Sequence, residues 1–308
     1  MKILFMGSSV FAVPSLVALL ESSHDVVGIV TQPDKPAGRG YELTPCPVAV
    51  LIQEKGRQPL KPKTLRSKKV EEHFKSLHAD LFVVVAYGKI LPKEILAIPP
   101  KGCINVHASL LPKYRGAAPI HWAIANGETE TGVTTMYLSE EMDAGDIIYS
   151  SRTEIDACEK ASDLHDRLAI FGAELLQKTV EAIEKGAAPR KPQHHSEATS
   201  APILNKEDGK IDWTLSAEEI YNRVRAFTPW PGAFTFWGGK RLQLHEVAVV
   251  ESQLEMEPGT VLHVGNELAV ATGAGDLYLL EVQLEGKKRM STIEFLRGHE
   301  IKSGTKLG

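Results

Sequence analysis

"MKILFMGSSVFAVPSLVALLESSHDVVGIVT", residues 1–31, decides the fold class. Lys2–Met6 is an apolar run of strand length, "VPSLVALLE" carries apolar residues at helical spacing, and Val26–Thr31 is again rich in β-branched residues. A strand, a helix and a strand in about thirty residues make a βαβ unit, whose two strands run parallel. The pattern continues. Asp80–Ala86, Cys103–His107, Val133–Leu138 and Asp146–Ser150 read as further strands, and "SKKVEEHFKSLH" as another helix. "VVGIV" and "LFVVVA" are near-continuous apolar runs, as expected of strands covered on both faces. The expectation is an α/β, Rossmann-like, mostly parallel sheet.

Leu164, Leu168, Phe171, Leu175 and Ile183 then mark one long helix that ends near Lys185-Gly186. The polar stretch after it, "GAAPRKPQHHSEATSAP", reads as a linker. "DWTLSAEEIYNRVRAF" reads as one amphipathic helix, followed by short strands in "GAFTFW", "RLQLHEVAVV", "GTVLHV", "ELAVAT" and "LYLLEVQL". Strands of this length with turn residues between them suggest a small, OB-like β-barrel. The boundaries are set at 1–189 for the first domain, 190–207 for the linker and 208–308 for the second.

Hydrophobic residues make up 43% of the 308 and charged residues 24%, an ordinary globular composition. The longest apolar run, Leu81 to Tyr87, is far short of the roughly 20 residues that cross a bilayer, so no membrane partner is expected. Because "MKILFMG" reads directly as a strand, neither a signal peptide nor a transit peptide is expected. The cysteines Cys46, Cys103 and Cys158 lie far apart without metal-ligand spacing. A reduced, cytoplasmic, monomeric protein without a metal is the expectation. Net charge −4 argues against a chain-wide attraction to phosphates. The basic run from Lys55 to Lys75 is either a solvated face or a groove for an acidic partner.

Chemistry enters at "INVHASLLPKYRGAAPIHWA", residues 104–123. On a strand Asn105 and His107 point one way and Ile104 and Val106 the other. The pair ends its strand where ligands bind in open α/β sheets. A bare Asn-x-His is equally a hydrogen-bonded core pair. "SEEMDAGDIIYS" adds Asp143 and Asp146, read either as turn residues or as a carboxylate that sets a histidine tautomer and moves protons. Asn, His and Asp together suit acyl transfer to an amine, two groups stabilising an oxyanion and one assisting proton removal. A Walker loop, a GxGxxG fingerprint and a GxSxG elbow are all missing, so NTP hydrolysis and dinucleotide redox chemistry find no support.

The 45 residues from "INVHASLLP" to "EEMDAGDII" resemble the catalytic segment of the folate-dependent formyltransferases. That resemblance implies Asn105, His107 and Asp143 as catalytic residues, and it alone prefers Asp143 to Asp146. It implies Ser109, Leu110, Leu111 and Pro112 as folate contacts and 10-formyltetrahydrofolate as formyl donor. "TQPDKPAGRGYELTPCPV", "VVVAYGKILPKEIL", "DGKIDWTLSAEEIYNRVRAFTPWPGA" and "GKKRMS" extend the likeness along essentially the whole chain to the branch that acts on methionyl initiator tRNA in translation initiation. Lys35 and Arg39, in the Gly/Pro-rich stretch 33–45, are then tRNA contacts, with Lys287 and Lys288 in the second domain. One departure stands out: Gly7-Ser8-Ser9 replaces the usual Gly-Thr-Pro. Phe227, Trp230 and Phe234 in "FTPWPGAF" could stack on bases, and the expectation is that they pack the helix against the barrel. Amino-sugar and glycinamide ribonucleotide formyltransferases, a deformylase and an idle RNA-binding module are the rival readings.

Overall fold

The computed structural model describes residues 1–37, 42–250, 256–264 and 267–308. Two compact units result. The first is Met1–Pro119, Glu130–Glu154 and His165–Pro202; the second is Ile120–Thr129, Ile155–Leu164 and Ile203–Gly308. The segment read as a linker therefore belongs, through Pro202, to the first unit.

Six strands form the sheet of the first unit: β1 (Lys2–Gly7), β2 (Asp25–Val30), β3 (Leu81–Val85), β4 (Cys103–His107), β5 (Glu130–Tyr137) and β6 (Ile147–Glu154). Their order is β2-β1-β3-β4-β5-β6. The β1 pairings with β2 and β3 and the β3–β4 pairing are parallel, while β4–β5 and β5–β6 are antiparallel. The chain runs from β1 outward to β2 and returns on the other side at β3, so the strand order reverses at β1, and the carboxyl ends of β1, β3 and β4 line one edge.

Every residue of β3 is buried, as its unbroken apolar run requires. Each such Val, Leu or Phe contributes roughly 1.5–3 kcal/mol of burial, which makes β3 a rigid neighbour for β4. Leu4, Met6, Phe82, Val84 and Cys103 share one core cluster, so alternation puts Asn105 and His107 on that same face. Ile104 and Val106 face the other way. There the long helix Ala161–Glu184 approaches closely: a Cβ on Gly172 would lie 2.9 Å from Val106 Cγ1. No helix among the described residues is long and apolar enough to cross a membrane.

The second unit is built on β7 (Phe234–Trp237), β8 (Lys240–Val250), β9 (Val261–Val264), β10 (Glu267–Ala271) and β11 (Asp276–Leu284), ordered β7-β8-β11-β10-β9 and antiparallel throughout. No strand pair closes β7 onto β9 among the described residues. The chain's last residues reach both edges instead. Val261 N donates to Thr305 O at 2.8 Å and Gly308 N to Phe236 O at 3.1 Å, with Ile301 and Leu307 buried in the core. The helix before β7 runs Ala217–Ala226, shorter than its periodicity suggests. Ser216 caps it, accepting from Glu219 N while the Glu219 carboxylate takes the Ser216 N–H, and that capping box stops the helix from starting at Asp212. Trp230, expected to pack, is 50% exposed, whereas Phe227 and Phe234 are buried.

Candidate active site

His107 ends β4, buried, with each ring nitrogen facing an acceptor. Nε2 lies 2.9 Å from the main-chain oxygen of Tyr114. A carbonyl only accepts, so Nε2 carries a proton and donates to it. Nδ1 lies 3.7 Å from Asp143 Oδ2. The sequence suggested that the carboxylate sets the tautomer; the Tyr114 carbonyl does so. Asn105, two residues earlier on the same face, is half-buried.

Asp143 is anchored rather than free. Its Oδ2 also accepts from Gly116 N at 2.9 Å. Its backbone is left-handed, φ 51°, a conformation that Asp tolerates better than most residues. Asp146 goes elsewhere: it pairs with Arg190 at 3.6 Å, and that guanidinium lies 3.7 Å over the Tyr137 ring. Geometry thus separates two carboxylates that residue type alone left equivalent. Gly145 between them has no room for a side chain, since a Cβ would fall 1.9 Å from Tyr137 O.

The turn after β4 uses its polar groups internally. Ser109 Oγ donates to Lys113 O at 2.7 Å, and Thr134 Oγ1 both donates to Ser109 O at 2.7 Å and accepts from Leu111 N at 3.2 Å. Ser109 and Leu111 are buried, while Leu110 and Pro112 keep partial exposure. Across the edge, Gln32 N donates to Ser8 Oγ at 3.0 Å, so the Gly7-Ser8-Ser9 turn is bound to the end of β2.

Cys103 shares the strand and face of Asn105. Burial pushes its thiol up to about 12, so it is neutral at pH 7 and no nucleophile. Of the expected RNA contacts, Lys35 is exposed on Lys35–Ala37, which pairs antiparallel with Glu42–Thr44. Arg39 lies outside the described residues. Lys287 and Lys288 are exposed after β11, beside Arg289, which is ion-paired with Glu281. In the basic run, Lys61 is held by Asp34 and Lys75 by Glu71, both at 2.6 Å.

Two family models match the chain: "Formyl transferase" over residues 1–180 and "Formyl transferase, C-terminal domain" over residues 203–300. The chain belongs to the formyl transferase family. Among its relatives, the methionyl-tRNA formyltransferase of Desulforamulus reducens is 49% identical over 310 residues, covering 100% of this chain and 98% of that one. That of Alkaliphilus oremlandii is 49% identical over 309 residues, with both chains fully covered. An N-formyltransferase of Helicobacter canadensis, solved with folinic acid and dTDP-3-aminofucose, shares the fold at a TM-score of 0.67. It is 18% identical, with 91% of this chain and 98% of that one covered. Between the two matches lies a gap, residues 181–202.

Two of the three residues with no signal in the sequence, Gln193 and Thr199, lie in that gap, and the third, Tyr114, lies within the first match. Gln193, Thr199 and the left-handed Tyr114 were not singled out, although all three bear on His107. A buried Gln inside a polar stretch gives no periodic signal, and nothing in "KYRG" announces a left-handed tyrosine.

Proposed function

We propose that Asn105, His107 and Asp143 are the transfer centre of this formyl transferase. The chain moves the formyl group of 10-formyltetrahydrofolate to the α-amino group of methionyl initiator tRNA, as its full-length identity to methionyl-tRNA formyltransferases supports. One observation carries the assignment of roles: the imidazole is held between a main-chain carbonyl and a carboxylate, on the strand face that also carries Asn105.

The folate supplies an activated formyl group, and the partly exposed apolar surfaces of Leu110 and Pro112, in the turn that follows His107, suit its flat ring. Ser109 and Leu111 shape that turn from inside. The amine attacks the formyl carbon, a C–N bond forms, and the bond from that carbon to folate N10 breaks. Asn105 donates its amide to the developing oxyanion. At 3.7 Å the contact between His107 Nδ1 and Asp143 is too long for a hydrogen bond. When the ring takes up a second proton, its Nδ1–H is therefore available to the oxyanion, while the carboxylate balances its charge. Asp143 takes the amine proton, which passes to N10 as the donor leaves.

The division of labour follows: 1–189 as catalytic domain, 208–308 as an OB-like barrel facing the tRNA, and 190–207 between them, its residues through Pro202 belonging to the first compact unit. Support for the barrel is the bonding of residues 304–308 to both edge strands. A cytoplasmic monomer completes the reading.

The decisive assay incubates the protein with 10-formyltetrahydrofolate and either initiator or elongator methionyl-tRNA and follows formyl-methionine. Transfer to the initiator form is expected; none to either tRNA overturns the assignment. Arg39→Ala is expected to raise KM for tRNA by about tenfold, the effect of losing roughly 1.4 kcal/mol of binding, with donor binding unchanged. Equal damage to both substrates would count against it. Lys287→Ala with Lys288→Ala should weaken tRNA binding and lower the slope of log K against log salt by about one per lysine, read from filter binding across a salt series. An unchanged slope removes these lysines from the interface.

A further inference from the structure

The segment from Lys191 to Ala201 ties together two loops that the sequence keeps apart. Lys191 exchanges both main-chain hydrogen bonds with Ile147, at 2.8 and 3.0 Å, at the start of β6. Gln193 follows, only 6% exposed. Its Oε1 accepts from Arg115 Nε at 3.1 Å and Nη2 at 2.7 Å. Its Nε2 donates to the main-chain oxygens of Asp143 and Gly145, both at 2.8 Å. Thr199 Oγ1 then accepts from Tyr114 N at 2.8 Å, and Thr199 O from Arg115 N at 2.8 Å. Ser200 and Ala201 pair with Arg115 and Gly116.

What these bonds restrain is costly backbone. Tyr114 has φ 60° and Asp143 φ 51°, and a left-handed L-residue costs roughly 1–2 kcal/mol. Such conformations persist where surrounding bonds over-determine them. Each of the two residues presents one group to His107: Tyr114 its carbonyl to Nε2, Asp143 its carboxylate to Nδ1. One strap therefore fixes both partners of the imidazole.

We infer that Gln193 is a positioning residue for formyl transfer, setting together with Thr199 the orientation of His107 between Tyr114 and Asp143. The inference rests on the roles given to His107 and Asp143 above. A carboxamide is suited to the place because its oxygen serves the guanidinium and its NH2 the two carbonyls. Glutamate lacks the donor end, and leucine lacks both.

Gln193→Leu and Thr199→Val are compared with Thr199→Ser, which keeps the hydroxyl. Arg190→Ala is the control: it immediately precedes the segment but contacts Asp146. In the first two, kcat is expected to fall about tenfold to hundredfold, as small misplacements of a reacting group do. KM for either substrate should move by less than about twofold, the signature of an interaction that matters in the transition state. Thr199→Ser and Arg190→Ala keep wild-type kcat. Nitrogen-15 spectra of histidine-labelled protein read the ring itself: Nε2–H is the neutral tautomer of His107 in the wild type and gives way to a mixture in Gln193→Leu. Should that variant not fold, the Thr199 pair decides by the same readouts. Unchanged kcat, or a loss of kcat with the His107 tautomer intact, overturns the inference. The spectra need no turnover, so failure of the catalytic roles, seen as a fully active His107→Ala, is told apart from failure of the strap.

Discussion

His107→Ala is expected to lower kcat for formyl transfer by a factor on the order of 10²–10³, about 2.7–4 kcal/mol of transition-state stabilisation, the range for losing one oxyanion donor. The same change costs only moderate stability. Its losses to the fold are the packing of the buried ring and the bond from Nε2 to Tyr114 O, and removing one partner of a buried bond costs roughly 1–3 kcal/mol. β4 stays in place, because Ile104 and Val106 remain buried on the opposite face and β3 is covered throughout. A variant that is folded at the assay temperature and still fails to turn over separates chemistry from folding. Single-turnover transfer and a thermal melt on the same preparation make the comparison, and near-normal transfer would remove His107 from the mechanism.

The face shared by Asn105 and His107 was legible because strand alternation is strict and the flanking runs are apolar. Legible for the same reason were the strands of the first sheet and the long helix that packs through Gly172 against Val106. What could not be read depended on contacts far apart in sequence. Asp146 is spoken for by Arg190, 44 positions on, and no local signal links them. Residues 190–202 have the composition of a linker, since they bury little apolar surface; they are held by main-chain and carboxamide hydrogen bonds, which composition does not register. The second unit posed the same difficulty. Its strands were readable one by one, but the edges are joined by residues 304–308, whose sequence carries no strand pattern. Of the three aromatics expected to pack, Phe227 and Phe234 fill the core and Trp230 is left half exposed, because a large aromatic is buried only on average.

Asp143 does two jobs that a pair of substitutions separates. Its Oδ2 accepts from Gly116 N and stands opposite His107 Nδ1. Asn in its place keeps an oxygen for the Gly116 N–H but carries no charge and cannot take a proton. Asp143→Asn is therefore expected to melt close to the wild type while transfer falls by about 10²–10⁴, the usual contribution of a positioned acid or base. Asp143→Ala removes the acceptor as well. The part-buried Gly116 N–H then loses its side-chain partner, at a cost of roughly 1–3 kcal/mol. Gly116 has little freedom to turn its N–H elsewhere, since it sits at φ 123° with Ala201 O 2.5 Å from where a Cβ would stand. Both variants should lose comparable activity, and only the alanine should lose stability as well. If asparagine supports near-wild-type transfer, the charge is not needed and Asp143 is a turn residue whose one duty is to hold Gly116.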